Sequence, residues 1–209
     1  NQKNQEEEIT MRDLIACEYS GKVRDAFAKK GHFAMSCDLL PSDNPKHGVH
    51  YIGDVLDLLS DYNVWNRTNG WDLMIAFPPC THLAVSGARW FPEKRADGRQ
   101  QQGIDFFMAL ANAEIPKIAI ENPVGIMSTK WRKPNQIIQP YEFGHDASKK
   151  TCLWLKNLPE LIPTDIIKKD RYANQTPSGQ NKLGPSADRW KLRSETYQGI
   201  ADAMATQWN

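Results

Sequence analysis

WDLMIAFPPCTHLAVSG, residues Trp71 to Gly87, decides how the chain is read. Leu73 to Phe77 is an apolar run short enough for a buried strand. Pro78-Pro79 stops it, because proline has no backbone N–H and a fixed φ. Cys80 is thereby predicted just past the C-terminal end of a strand, where open α/β sheets bind ligands. A thiol on a stiff loop over such a crevice is a candidate nucleophile; its structural alternative is a buried, inert cysteine.

Outward from this strand, apolar runs alternate with helical patterns as far as Pro123. Leu14 to Cys17, Phe33 to Cys37, Val49 to Ile52 and Ile118 to Ile120 read as strands. Lys22 to Lys30, a segment beginning at Leu56, and Gly103 to Ala113 read as helices, the first closed by Gly31. Glu121-Asn122-Pro123 is expected to stop the Ile118 strand. The alternation predicts right-handed βαβ units in an α/β fold, a mostly parallel, doubly wound, Rossmann-like sheet. Thr151 to Leu155 adds a β-like run, and Thr196 to Trp208 a C-terminal helix. Trp90 to Gln102, which is charged, and Lys168 to Arg193, which is polar and rich in turn residues, read as long loops. Each is either a lid or a mobile connection.

With 209 residues, 40% of them hydrophobic, the chain is expected to form one domain over residues 11–209. Residues 1–10 are polar and acidic and read as a disordered leader or cloning remnant, with Met11 as the natural start. A net charge of +1 gives no overall pull toward nucleic acid or membrane, although a local basic face is compatible with it. No apolar run approaches a membrane span, so no membrane partner is expected. The four cysteines form no CxxC pair, which argues against zinc, any other metal site, or a disulfide framework. The expected location is cytoplasmic.

The turn Glu18-Tyr19-Ser20-Gly21 follows the first strand and opens a helix, where nucleotide-type cofactors sit. Asp38 lies roughly 20 residues on, the spacing at which an acid accepts hydrogen bonds from ribose. Asp54 ends the third strand and reads as an adenine contact or a helix cap. Glu121 follows the Ile118 strand as Cys80 follows its own. A thiol and an acid on one rim suggest covalent addition to an activated ring or carbonyl. His82, two residues after Cys80, offers a weaker Cys–His couple, and Trp90-Phe91 reads as core packing or a surface for stacking a base.

The order of these motifs resembles the DNA cytosine-5 methyltransferases, and within them the short phage-type methylases. Pro79-Cys80-Thr81-His82-Leu83-Ala84-Val85-Ser86-Gly87 is similar to that family's nucleophile loop, and Glu121-Asn122 to its Glu-Asn pair. The resemblance covers most of residues 11–156 and then 194–208. It implies a class I methyltransferase fold whose C-terminal helix returns to the pocket of the cofactor, S-adenosyl-L-methionine, and a bacterial or phage-infected cell as the setting. The catalytic residues it implies are Cys80, adding to ring carbon 6 of cytosine, and Glu121, acting at ring nitrogen 3. Cofactor contacts fall to Glu18, Tyr19, Ser20, Gly21, Asp38, Asp54, Phe77, Pro78 and Thr196. Substrate contacts fall to Pro79, Ser86, Arg99, Asn122, Lys149 and Lys150. Arg89, Arg95, Lys130, Arg132 and Lys133 are further candidates for a phosphate-binding rim.

The chain departs from the family in three places. Glu18-Tyr19 replaces a glycine-rich, Phe-containing first turn, with Tyr19 a candidate to cover the adenine. Lys149-Lys150 stands where an Arg-rich segment belongs. The stretch between Leu155 and Thr196 is too short for the usual recognition domain, so residues 168–193 read as a reduced recognition element or a lid, with a partner protein as another source of target recognition. The expected substrate is cytosine in DNA, duplex or single-stranded. The alternatives are the same chemistry on a free pyrimidine nucleotide, a non-catalytic relative binding cofactor or nucleic acid, and a hydrolase using Cys80 and His82.

Overall fold

The computed structural model describes residues 11–60, 70–184, 186 and 189–209; the reading of residues 1–10 lies outside them. The strands are β1 (Arg12–Ala16), β2 (Phe33–Asp38), β3 (Val49–Ile52), β4 (Leu73–Ala76), β5 (Lys117–Pro123), β6 (Gln136–Ile138) and β7 (Thr151–Lys156). The helices described are α1 (Lys22–Ala28), α2 (Val55–Leu59), α3 (Phe91–Ala96), α4 (Arg99–Ala111), α5 (Met127–Lys130), α6 (Arg189–Ser194) and α7 (Gln198–Gln207).

One seven-stranded sheet runs in the order β3-β2-β1-β4-β5-β7-β6. The first five are parallel, and β7 is antiparallel to both of its neighbours. Side chains alternate across a strand, so each central strand feeds two cores. Ile15, Leu73, Ile75 and Ala119 pack on one face with Val23 and Phe27 of α1 and Ile200 and Met204 of α7. Leu14, Met74, Ile118 and Ile120 pack on the other with Leu58 of α2 and Phe107 and Leu110 of α4. Phe107 meets Trp154 of β7 edge-on at 5.3 Å. Full burial of such an aromatic is worth roughly 1.5–3 kcal/mol. A sheet covered on both faces explains why its strands are continuous apolar runs rather than alternating ones. The architecture is α/β, a mostly parallel mixed sheet flanked by helices.

Three expectations need correction. Glu121-Asn122-Pro123 does not stop β5 but belongs to it, because β7 lies antiparallel alongside and pairs Glu121 with Leu153 and Pro123 with Thr151. Residues 90–102 are not a loop: they run through α3 into α4. Pro92 sits in the first turn of α3, where its missing N–H costs nothing, and Gly98 takes φ 83° as the residue before α4. The C-terminal helix begins at Gln198, with Thr196 and Tyr197 extended before it. Residues 168–193 are largely irregular, as read, until α6 begins at Arg189.

From β1 the chain moves outward to β2 and β3, and from β4 it moves the other way to β5. The point where the order reverses lies between β1 and β4. There the loops from the strand ends splay apart and leave a crevice.

Candidate active site

Three side-chain clamps hold the loop that follows β4. The Asn122 amide donates to the Pro78 carbonyl at 2.7 Å, within the buried interior. The Lys94 ammonium of α3 donates to the Thr81 carbonyl at 2.5 Å, and the Gln100 amide of α4 to the His82 carbonyl at 3.3 Å. The Cys80 carbonyl itself accepts from the amides of Leu83 and Ala84. Residues 83–85 are then zipped to 124–126 by the bonds from Val85 N–H to the Val124 carbonyl and from Ile126 N–H to the Leu83 carbonyl. Cys80 is thus fixed at the C-terminal end of the central strands from β5, α3 and α4 at once. Its half-buried thiol opens onto two adjoining spaces, an inner cavity of about 110 Å³ and a cleft of about 990 Å³.

The inner cavity brings together most of the residues read from the sequence. Glu18, Tyr19 and Ser20 of the β1–α1 turn line it, with Phe77, Pro78, Pro79 and Cys80 after β4. Glu121 and Asn122 of β5, Lys149 before β7 and Thr196 before α7 complete that set. Asp38, Ser86 and Lys150 line the larger cleft instead. Three predicted residues line neither space. Gly21 takes φ 77° before α1, and a side chain there would strike the buried Arg24 guanidinium at 2.5 Å. Asp54 caps α2, accepting from the Leu56 amide at 2.9 Å. Arg99 is turned toward Asp97 and Glu93, whose carboxylates engage it on the surface. Of the rim cations considered, only Lys149 and Lys150 line the cleft; Arg132 lies over the Trp131 ring and bonds the Leu155 carbonyl. His82 lines neither space.

Charge at the thiol is finely opposed. Burial pushes the Cys80 thiol up, the neighbouring Glu121 carboxylate pushes it further, and Lys149 and Arg193 pull it back. Burial also raises the Glu121 carboxyl, against Lys149 and a hydrogen bond with Thr151. A raised carboxyl beside a thiol is a proton donor paired with a nucleophile. Glu18 is 5% exposed. One of its carboxylate oxygens accepts from Ser20 Oγ at 2.6 Å and from the Val23 amide at 3.3 Å. The other, Oε2, is buried with no hydrogen-bond partner, and burial raises this carboxyl too.

The residues that sequence reasoning missed come from the far end of the chain. Residues 189–196 form a strap over the β1–α1 turn. Tyr19 donates its hydroxyl to the Lys191 carbonyl and lies 2.9 Å from Ser194 Oγ, and its ring packs at 6.0 Å from that of Trp190. Lys191 pairs with Asp43 and Glu195 with Lys22, both at 2.7 Å. The strap puts Arg193, Ser194 and Glu195 on the inner cavity. Lys182, with Asn174 and Asn181, lines the cleft from the segment read as a lid. That segment is anchored by reciprocal bonds between Ser148 and Asn174 and by the stacked rings of Tyr141 and Tyr172. Nothing in the local sequence marks these residues, because contacts with Tyr19, Asp43 and Lys22, distant in sequence, bring the strap there.

Among the described residues, no group of three His, Cys, Asp or Glu side chains gathers as a metal site. All four cysteines are free thiols. No described helix is long and apolar enough to cross a membrane. The sequence matches no family model and no curated protein.

Proposed function

We propose that this chain transfers a methyl group from S-adenosyl-L-methionine to carbon 5 of cytosine in nucleic acid, with Cys80 as covalent nucleophile and Glu121 as acid, on a class I methyltransferase fold. One observation carries the reading: Cys80 and Glu121 wall the same cavity at the reversal point of the sheet, and their charges act on each other. Cytosine carbon 5 becomes electron-rich once a nucleophile adds at carbon 6. The Cys80 sulfur forms that bond as Glu121 protonates or hydrogen-bonds ring nitrogen 3, so the charge developing on the ring is neutralised. The cofactor would supply the methyl group to carbon 5 and depart as its thioether; carbon 5 then loses its proton to a base, the ring nitrogen 3 proton returns to Glu121, and the carbon–sulfur bond breaks to regenerate the Cys80 thiolate. Asn122 keeps the Pro78 carbonyl, and with it the Cys80 backbone, in one position throughout.

The cofactor supplies an electrophilic methyl group. The residues present fit it: the cleft of about 990 Å³ lies at the upper end of the range for small-molecule sites. Asp38 and Phe77 would hold the nucleoside end, and Glu18, Ser20 and Thr196 the amino-acid end. The Glu18 carboxylate seated on the Val23 amide occupies the position where dinucleotide phosphates sit in related sheets. Its charge disfavours a pyrophosphate cofactor and favours a cationic one.

The charge of the cleft bears on the substrate. Lys149, Lys150, Lys182 and Arg193 line the two spaces, and none of them has an ion-pair partner among the described residues. Cations left outside ion pairs there favour a phosphate-bearing substrate, whether a strand or a nucleotide. Residues 164–183 fold back on the catalytic body, so recognition falls to the cleft itself. This favours a single strand or a nucleotide as the second reading. The test is methyl transfer from labelled cofactor to duplex, single strand and deoxycytidine monophosphate, with wild type and C80S. A 5-fluorocytosine oligonucleotide is expected to trap an adduct on Cys80. Near wild-type transfer by C80S, or an adduct on Cys17, Cys37 or Cys152, refutes the mechanism.

A further inference from the structure

We propose that the surface beside the nucleophile loop is a binding platform for a single-stranded polynucleotide, with Trp90 stacking on an unpaired base and Arg89 holding the phosphate chain. This rests on the reading of the cleft as a nucleic-acid site and narrows the substrate to a strand with unpaired bases. The loop leaves the cleft as a short 3-10 helix, Val85–Trp90, whose first residues Val85, Ser86 and Gly87 line the cleft. Side chains three residues apart eclipse one another in such a helix. Arg89 and Trp90 therefore continue, one turn on, the rows begun at Ser86 and Gly87. The sequence allows Trp90-Phe91 either packing or stacking, and the fold divides the roles. Phe91 is buried at the start of α3, whereas Trp90 is 49% exposed. The Arg89 guanidinium lies 5.0 Å from the centre of the Trp90 ring.

Charge identifies what the ring receives. Between Arg89 and Arg99 the acids are Glu93 and Asp97, and Arg99 alone engages both. Arg89 and Arg95 are exposed and stand outside every ion pair among the described residues. The surface around the indole is therefore positive and continuous with the cleft that Lys149 and Lys150 line. Cations that track phosphates, combined with an aromatic face that accepts any base, make up a single-strand site. A duplex offers no free base face to such a ring. Trp90 lines neither the inner cavity nor the cleft, so a base seated between Cys80 and Glu121 cannot also lie on it. The ring serves a second base of the same strand, and a free nucleotide has none to give.

The test is fluorescence anisotropy on the full chain, with a labelled mixed-sequence DNA strand of about 12 nucleotides and the same strand in duplex. W90A is expected to bind the single strand about 5- to 100-fold more weakly than wild type, W90F within about threefold of wild type, and duplex affinity to change by less than about twofold. R89Q is expected to reduce the slope of log affinity against log salt by about 0.7, the share of one phosphate on a single strand. That measurement stands alone if W90A does not fold. Unchanged strand affinity in W90A, or no strand binding by wild type, overturns the platform. An equal loss for strand and duplex overturns it too, because paired bases offer no free face. Self-association of wild type that W90A abolishes, without strand binding, gives the surface to a second copy and overturns it as well. Methyl transfer to deoxycytidine monophosphate by a chain that fails these binding tests leaves the chemistry above intact. Strand binding that depends on Trp90, in a chain that transfers no methyl group, upholds the platform and refutes the chemistry.

Discussion

Asn122→Asp tests the geometry of the nucleophile loop with the least change in shape. The Asn122 side chain is 2% exposed, and its amide donates to the Pro78 carbonyl at 2.7 Å. The substitution exchanges an NH₂ for an oxygen, so two acceptors then face each other across a hydrogen-bond distance in a buried place. The donor bond is lost, worth about 1 kcal/mol, and the Pro78 carbonyl is left unsatisfied at about 1–3 kcal/mol. Together the expected loss of stability is about 2–4 kcal/mol at neutral pH, or roughly 4–16 °C in melting temperature for a chain of this size. Methyl transfer is expected to fall about 100-fold, because Cys80 lies two residues from Pro78 and a 1 Å misplacement has that effect. The sign of the pH dependence is distinctive. The introduced carboxyl is buried against an acceptor, so its folded pKa rises above the unfolded value. Protonated, it donates to Pro78 as the amide did. N122D should therefore recover stability as pH falls, and lose it again as pH rises through the folded pKa. Urea denaturation of wild type and N122D over a pH series measures this, with labelled transfer in parallel. Equal midpoints at neutral pH, or a deficit that does not shrink toward acid, would show that the bond does not hold the loop.

Other expectations follow from neighbouring features. Glu121→Gln removes a negative charge that raises the Cys80 thiol; iodoacetamide should alkylate Cys80 about 3- to 10-fold faster at mildly alkaline pH while methyl transfer is abolished, and an unchanged or slower rate contradicts the coupling. Gly199→Ala would place a methyl 1.9 Å from the Phe143 carbonyl oxygen and displace the His145 ring that accepts from the Gly199 amide at 2.8 Å. It should cost about 3 kcal/mol in urea unfolding, whereas Gly184→Ala, with nothing nearby, should be close to neutral. Asp13 is wholly buried, 2.6 Å from His32 Nδ1, and burial pushes its carboxyl up to about 6 from 3.8. Its folded pKa is raised, so its contribution is full below about pH 4 and falls by up to about 3 kcal/mol as pH rises through 6. D13N should flatten the stability profile in that window, and an unaltered slope in urea titrations would assign the pH dependence elsewhere.

The parallel core was legible because each strand is a compact apolar run bounded by glycine, proline or aspartate. Leu73 to Ala76 between Asp72 and Pro78 needs no partner to be recognised. Glu121, Asn122 and Pro123 are poor strand residues, so sequence alone predicts a shorter β5, and what makes them extended is β7, antiparallel and distant in sequence. Pro92 and Gly98 look like breaks within a charged loop, yet each stands at a helix start, where its backbone suits the position. Cys80 and Glu121 could be paired from sequence since both lie at the same end of adjacent parallel strands. Arg193 and Glu195 could not, because their place depends on bonds from Tyr19, Asp43 and Lys22 to a strap that has no periodic pattern of its own. Asp54 and Arg99 stand at positions the family resemblance gives to ligand contacts, but the Leu56 amide and two nearby acids claim them for local roles.

The strap has a consequence for how the molecule is made. Chains emerge from the ribosome N-terminus first, and Cys80, Glu121 and the β1–α1 turn are all synthesised long before Ser194 and Thr196. Until residues 193–207 arrive, the crevice lacks a wall, and α1 lacks the helix α7 that packs against it. A nascent or truncated chain would carry the Cys80 thiol with no enclosed chamber around it. Enclosure of the cavity is thereby tied to synthesis of residues 189–207.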